Sequence, residues 1–288
     1  MTSKSDTFTS GELSTQDYVK SPQLTDLTWA HAVNNKNYLD KVLNGNTNFI
    51  EADILIGNLE NGNPRDQIPV MAHPPATQSN LSLTEFLAKC LQFNQQVEKT
   101  QVKGIKLDFK SIEALEKSTD LIKQFYNTVK YPTWINADIL AGPVNNTSTT
   151  PVDPDRFFNC TKRLGPVILS IGWTTKWDQH STEGLYSETD IQRMIYTIKS
   201  NEIDKLGTPI TFPIRAGIAA NSLKELSQLF EKLKTTNEIT FTIWSSVDDA
   251  VDVQKLRNFV YAIGTDRIYI DVPDELKTRL NINTTEFE

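Results

Sequence analysis

From residue 27 onward the chain alternates short apolar runs with stretches of helical periodicity. Eight runs read as strands: residues 27–32, 48–55, 104–110, 133–139, 167–173, 210–216, 239–244 and 267–272. Each is rich in β-branched or aromatic residues and too short for a helix of ordinary length. Between them the apolar period changes to that of a helix. Ser82 precedes a helix covering residues 84–90, and residues 111–129 place Leu115, Leu121, Ile122 and Phe125 on one face. Residues 189–198, 222–233 and 249–261 follow the same rule, with Ser or Asp near each start. Strand–helix alternation repeated in this way predicts an α/β fold, a single (β/α)8 barrel of the TIM type. An open doubly wound sheet is the competing architecture. It ordinarily carries a Gly-rich first turn, and none is present. Residues 57–72 read as an irregular excursion above the barrel rim that delivers His73 and the Pro74-Pro75 pair.

Length fits this picture, since 288 residues accommodate one barrel of about 250 residues plus a leader. Residues 1–22 are polar, lack an apolar signal core and are expected to be a flexible leader to a single domain over 23–288. No apolar run is long enough to predict a transmembrane helix. The default compartment is therefore the cytoplasm, or outside the cell if the chain is a processed form. A net charge of −7 argues against a nucleic-acid footprint and against a polybasic membrane surface. A small anionic substrate stays compatible with that charge, because local lysines or a bound cation reverse the field inside a cleft. Cys90 and Cys160 form no metal or redox motif and read as buried thiols rather than a disulfide.

Polar residues inside the predicted strands change the picture most. In Phe49-Ile50-Glu51-Ala52-Asp53-Ile54, the two carboxylates are two residues apart and share one face, while Ile50 and Ile54 take the other. In a barrel the isoleucine face packs on helices, so Glu51 and Asp53 point inward. Two inward carboxylates repel one another and need a cation or a shared proton. The next strand repeats the pattern with Lys106, Asp108 and Lys110, and the one after with Asn136 and Asp138. Hard oxygen ligands suit Mg²⁺ or Ca²⁺ rather than zinc. His31 ends the first strand and His73 follows the excursion. Two histidines beside a cation and lysines can deprotonate one oxygen and protonate another, which phosphodiester cleavage requires. Plainer readings stand beside these: structural histidines, a salt-bridge network of the carboxylates with Lys106 and Lys110, tryptophans as core, and Arg215 paired with Asp138. His180, in a polar loop, reads as exposed.

The segments Trp29-Ala30-His31-Ala32-Val33-Asn34, Glu51-Ala52-Asp53, Ala72-His73-Pro74-Pro75, Gly104-Ile105-Lys106-Leu107-Asp108-Phe109-Lys110 and Trp134-Ile135-Asn136-Ala137-Asp138 resemble the menorin family. So do Leu169-Ser170-Ile171-Gly172-Trp173-Thr174, Thr211-Phe212-Pro213-Ile214-Arg215-Ala216 and Thr242-Ile243-Trp244-Ser245, and the likeness runs from about residue 27 to 273. That family is in turn similar to phospholipase C-like barrels, including glycerophosphodiester phosphodiesterases and sphingomyelinase D-type phospholipases. The resemblance implies acid/base roles for His31 and His73. It also implies one divalent cation on Glu51, Asp53 and Asp108, and phosphate contact by Lys110. Glycerophosphodiesterases follow the first His with Arg and Gly, where this chain has Ala32 and Val33. They follow the later His with Asp, where this chain has Pro74. Lys106 and Arg215 are the candidates to replace the missing phosphate-binding arginine.

The expected activity is a divalent-metal-dependent phosphodiesterase acting on a small or lipid-derived phosphodiester, by hydrolysis or by cyclisation. Lys106, Asn136, Asp138, Trp173, Arg215 and Trp244 are the expected substrate-binding residues, with Trp177 a further aromatic at the rim. Two alternatives are a non-catalytic recognition scaffold and a metal-independent glycosidase using two rim carboxylates such as Asp53 and Asp138.

Overall fold

The computed structural model describes residues 23–126, 131–144 and 149–282; the expected leader, 1–22, lies outside them. The strands are β1 (Trp29–Ala30), β2 (Phe49–Leu59), β3 (Ile68–Met71), β4 (Gln78–Ser79), β5 (Gly104–Phe109), β6 (Thr133–Leu140), β7 (Ile168–Trp173), β8 (Ile210–Arg215), β9 (Ile239–Trp244) and β10 (Ile268–Asp271). The helices are α1 (Lys36–Leu43), α2 (Leu83–Gln96), α3 (Ile112–Tyr126), α4 (Pro154–Thr161), α5 (Glu188–Ser200), α6 (Ala216–Ala219), α7 (Leu223–Leu233), α8 (Val253–Ile263) and α9 (Asp274–Leu280). Their starts are those the sequence marks. Ser82 accepts from the Glu85 amide, and Ser187 and Asp190 form a reciprocal capping box.

Strands β1, β2, β5, β6, β7, β8, β9 and β10 pair in that order, all parallel. A doubly wound sheet would reverse its order part-way, and this one does not. At the seam between first and last strands, the amides of Leu24 and Thr25 donate to the Thr265 carbonyl at 3.0 and 3.2 Å. The sheet is thus a nearly closed barrel with helices between its strands.

The outer faces of the strands carry Ile50, Ala52 and Ile54, then Leu107 and Phe109, then Ile135, Ala137 and Ile139, all buried in the main apolar core. Inside, composition changes along the axis. Trp29, Phe49, Trp134, Ile168 and Tyr269 join Leu24 and Leu27 in a separate apolar cluster at the amino-terminal end. Phe49 lies 4.6 Å from Trp134 and 4.8 Å from Trp29, ring centre to ring centre, and Tyr269 meets both tryptophans edge-on. A methyl group on Gly104 would collide with Phe49, so glycine is required under this aromatic floor.

Two local expectations need correction. The stretch over 57–72 is not irregular: β2 continues to Leu59 and β3 returns antiparallel, with Ile54 opposite Met71 and Gly57 opposite Ile68. A side chain at Gly57 would strike the Thr77 carbonyl at 2.3 Å. The first strand is shorter than 27–32, because Leu24–Asp26 take a 3-10 turn and Ala32 adopts a left-handed backbone at φ 53°. Cys90 and Cys160 are buried free thiols, and burial pushes the Cys90 pKa well up. Among the described residues no helix is long and apolar enough to cross a membrane.

Candidate functional site

Two residues beyond the aromatic floor, strand after strand, the inward position becomes polar. Trp29 is followed by His31, Phe49 by Glu51, Gly104 by Lys106, Trp134 by Asn136, Ile168 by Ser170 and Tyr269 by Asp271. One further step toward the carboxyl ends stand Asp53, Asp108 and Asp138. Register aligns them: Glu51 faces Lys106, Asp53 faces Asp108, and Asp108 faces Asn136.

Carboxylate oxygens of Glu51, Asp53 and Asp108 all lie within 4.8 Å of one another. Each is held by the protein. The Ala32 amide donates to Glu51 Oε2 at 2.7 Å. Asn34 clamps Asp53 twice, its Nδ2 donating to Oδ2 at 2.7 Å while its Oδ1 accepts from the Asp53 amide at 2.9 Å. Asn136 Nδ2 donates to Asp108 Oδ1 at 2.6 Å, and Ser170 Oγ donates to Asn136 Oδ1 at 2.5 Å. Lys110 Nζ sits between Asp53 Oδ1 at 2.7 Å and Asp108 Oδ2 at 2.5 Å.

His31 Nδ1 meets Asp271 Oδ2 at 3.0 Å and Glu51 Oε2 at 3.5 Å, while more than half of its side chain stays exposed. Burial opposes charge on this ring, but Glu51 and then Asp271 outweigh it and lift the pKa to about 9. Burial raises Glu51 to about 7, with His31 pulling it back and Asp53 pushing it further up. Burial and then the Asp108 charge push Asp138 to about 7. Asp108 itself, despite its burial, is held below the ordinary carboxylate range by Lys110 and then Lys106. Lys110 is held above the lysine range, burial notwithstanding, by Asp108, Asp53 and Glu51. One end of the barrel thus concentrates charges whose ionisation depends on one another.

The Ala72 amide donates to the Asp53 carbonyl at 3.0 Å, so the ribbon β2–β3 returns His73 to the carboxyl end of β2. His73 is exposed, its Nδ1 2.6 Å from the Pro74 carbonyl. A sequence pattern that defines the menorin N-terminal domain matches residues 23–277. The chain belongs to the menorin family. Among its relatives is the human protein FAM151B, 36% identical over 245 residues that cover 83% of this chain and 81% of that protein. Solved barrels resemble it distantly. A glycerophosphodiester phosphodiesterase from Parabacteroides distasonis is 13% identical with a TM-score of 0.47, covering 90% of this chain and 97% of that one. A calcium-dependent phosphoinositol-specific phospholipase C from a Pseudomonas species is 10% identical with a TM-score of 0.48, covering 94% and 96%.

In this menorin-family chain the remaining predicted residues divide. Lys106 and Asn136 are buried in the polar layer, and Asp138 lies half-buried beside Gly172, where an added Cβ would come within 2.9 Å of its carboxylate. Trp173 does not join them. Gly172 takes the inward position, so Trp173 turns to the opposite face, buried against Tyr186 and Phe212. Trp177 is likewise buried, its indole donating to the Ala250 carbonyl. Arg215 does not pair with Asp138. It forks onto Asp249 through Nε and Nη2, both at 2.7 Å, donates to the Trp177 carbonyl at 2.8 Å, and lies 4.9 Å from the Trp244 ring. His180 is exposed in its loop, as expected. Asn34, Asp249 and Asp271 were not predicted. Asp271 was within reach, since alternation in Ile268-Tyr269-Ile270-Asp271 puts a carboxylate on the inward face late in a strand, as it does for Glu51 and Asp53.

Proposed function

We propose that this protein is a divalent-metal-dependent phosphodiesterase acting on a small or lipid-derived phosphodiester. We base this on the three carboxylates that converge within 4.8 Å, beside Lys110 and His31, at the carboxyl ends of barrel strands. Barrel enzymes build their sites at that end. The donor set fits Mg²⁺ or Ca²⁺: hard oxygens about 2.0–2.6 Å from one ion stand no more than about 5 Å apart. Glu51, Asp53 and Asp108 would hold the ion, which when bound supplies positive charge against the phosphodiester oxygens. Asp271 fixes His31 through Nδ1 and leaves the rest of the ring open to substrate. A ring charged at neutral pH suits the acid role, giving its proton to the leaving alcohol as the phosphorus–oxygen bond breaks. His73 would take the proton of the attacking water or substrate hydroxyl, the latter yielding a cyclic phosphate.

Calorimetric titration of Mg²⁺ and Ca²⁺ tests this directly. Binding is expected in the native protein and lost in Glu51→Gln/Asp53→Asn. In a phosphodiester screen, His31→Ala should then lower the rate by about 10²–10⁴. A folded native protein that binds neither ion at millimolar concentration overturns the proposal. One observation favours a second reading: Lys110 already spans Asp53 and Asp108 and supplies charge that a cation would bring. A recognition module with such a self-neutralised site would bind no ion and be indifferent to loss of His31 and His73.

A further inference from the structure

Four cationic side chains belong to the carboxyl half of the barrel interior: His31, Lys106, Lys110 and Arg215. Three are engaged. Arg215 has its fork on Asp249 and further contacts to the Trp177 carbonyl and Ser246. Lys110 is shared by Asp53 and Asp108. His31 is held by Asp271 and Glu51. Lys106 differs. It is 4% exposed, yet among the described residues it has no hydrogen bond and no ion pair. Its Nζ is not one of the fully buried polar atoms left without a partner, so the ammonium keeps contact with solvent and can exchange water for a ligand.

Its neighbours are held by other groups. Glu51 accepts from Ala32, and Asp108 from Asn136 and Lys110. Lys106 stands opposite Glu51 in register and two residues before Asp108 on the same inward face. Alternation along β5 turns Lys106 into the polar layer, where its charge acts on His31, Glu51, Asp108 and Asp138. We infer that Lys106 receives the anionic oxygen of the substrate, a role that Lys110 and Arg215 are too fully engaged to fill. This rests on the phosphodiesterase reading and adds to it the residue that recognises the phosphoryl group. Its three N–H donors are not committed to any protein acceptor among the described residues, so a bound oxyanion replaces water there.

Inorganic phosphate is the probe, titrated by calorimetry in the presence of chelator and again with Mg²⁺. Lys106→Met is expected to weaken phosphate about tenfold or more, the effect of losing a hydrogen bond to a charged group. Lys106→Arg should stay within about threefold, since it keeps charge and donors. Mg²⁺ affinity of Lys106→Met should not fall, because a neighbouring positive charge has gone. Phosphate binding unchanged in Lys106→Met, or absent from the native protein, overturns the inference whatever the metal titration gives. Failure of the native protein to bind a metal ion overturns the phosphodiesterase reading instead. If Lys106→Met does not fold, native protein labelled with [ε-¹³C]lysine supplies the readout. The resonance missing from Lys106→Arg must move on phosphate addition, and a resonance that stays still is equally decisive against the inference.

Discussion

At the amino-terminal end of the barrel, Trp29, Phe49, Trp134 and Tyr269 fill the interior; two residues along the same strands stand His31, Glu51, Asn136 and Asp271. The same backbone carries both layers, and the outer faces of the strands are mostly apolar. What differs is how each layer satisfies burial. The floor has dispersion and area, with rings 4.6–6.0 Å apart, and is insensitive to proton concentration. The polar layer must pair every charge, and it does so imperfectly: carboxylates are crowded, two of them are pushed to about 7, and Lys106 has no hydrogen bond or ion pair among the described residues. Imperfect self-complementarity at one end of a well-packed barrel is where local rules yield to function.

The sharpest way to break this contrast is to remove a ring from the floor. Trp134→Ala should cost about 3–5 kcal/mol in urea unfolding, equally at acid and alkaline pH. A loss below about 1 kcal/mol would mean the floor is not what holds the barrel. Next in size is a pH effect confined to the polar end. Glu51, Asp138 and His31 have folded pKa values raised from 4.5, 3.8 and 6.5 to about 7, 7 and 9. Each binds its proton more tightly when folded, so its contribution is complete below the ordinary value and is lost as pH climbs through the raised one. In chelator, stability should therefore decline from about pH 4 to about pH 9. Glu51→Gln should flatten the part of that decline below pH 7. Thermal melts across the range check it, and a midpoint that rises with pH contradicts it.

Smaller changes test individual supports. Ser170→Ala removes the hydroxyl that fixes Asn136 and through it Asp108; it should cost about 1 kcal/mol and weaken cation binding more than it weakens the fold. Calorimetry alongside denaturation separates the two effects. Smallest is Ala32→Gly. The left-handed backbone at φ 53° disfavours any side chain, so this substitution should be neutral or gain up to about 1 kcal/mol. A loss would show that the methyl group packs against something the strain does not outweigh.

Periodicity made the barrel legible, because inward and outward residues separate cleanly once a strand alternates. The carboxylate cluster was legible for the same reason: Glu51, Asp53 and Asp108 are polar exactions on strands whose other faces are isoleucine and leucine. What the sequence concealed depends on contacts between distant segments. Asn34 clamps Asp53 from a turn that no pattern marks, and Asp249 captures Arg215 from a loop 34 residues away. Trp173 illustrates the opposite failure. Its strand-end position suggested the rim, but the same alternation that exposes Gly172 to Asp138 turns the indole to the outer face.

The bond from His31 to Asp271 joins positions 240 residues apart. During synthesis, Glu51, Asp53 and Asp108 emerge and can meet while most later strands are still being added. His31 waits for Asp271 until almost the whole barrel has left the ribosome. Assembly of the His31–Asp271 pair is thereby tied to closure of the seam: a nascent or truncated chain that gathers the carboxylates has His31 beside Glu51 alone, and closure adds the second contact.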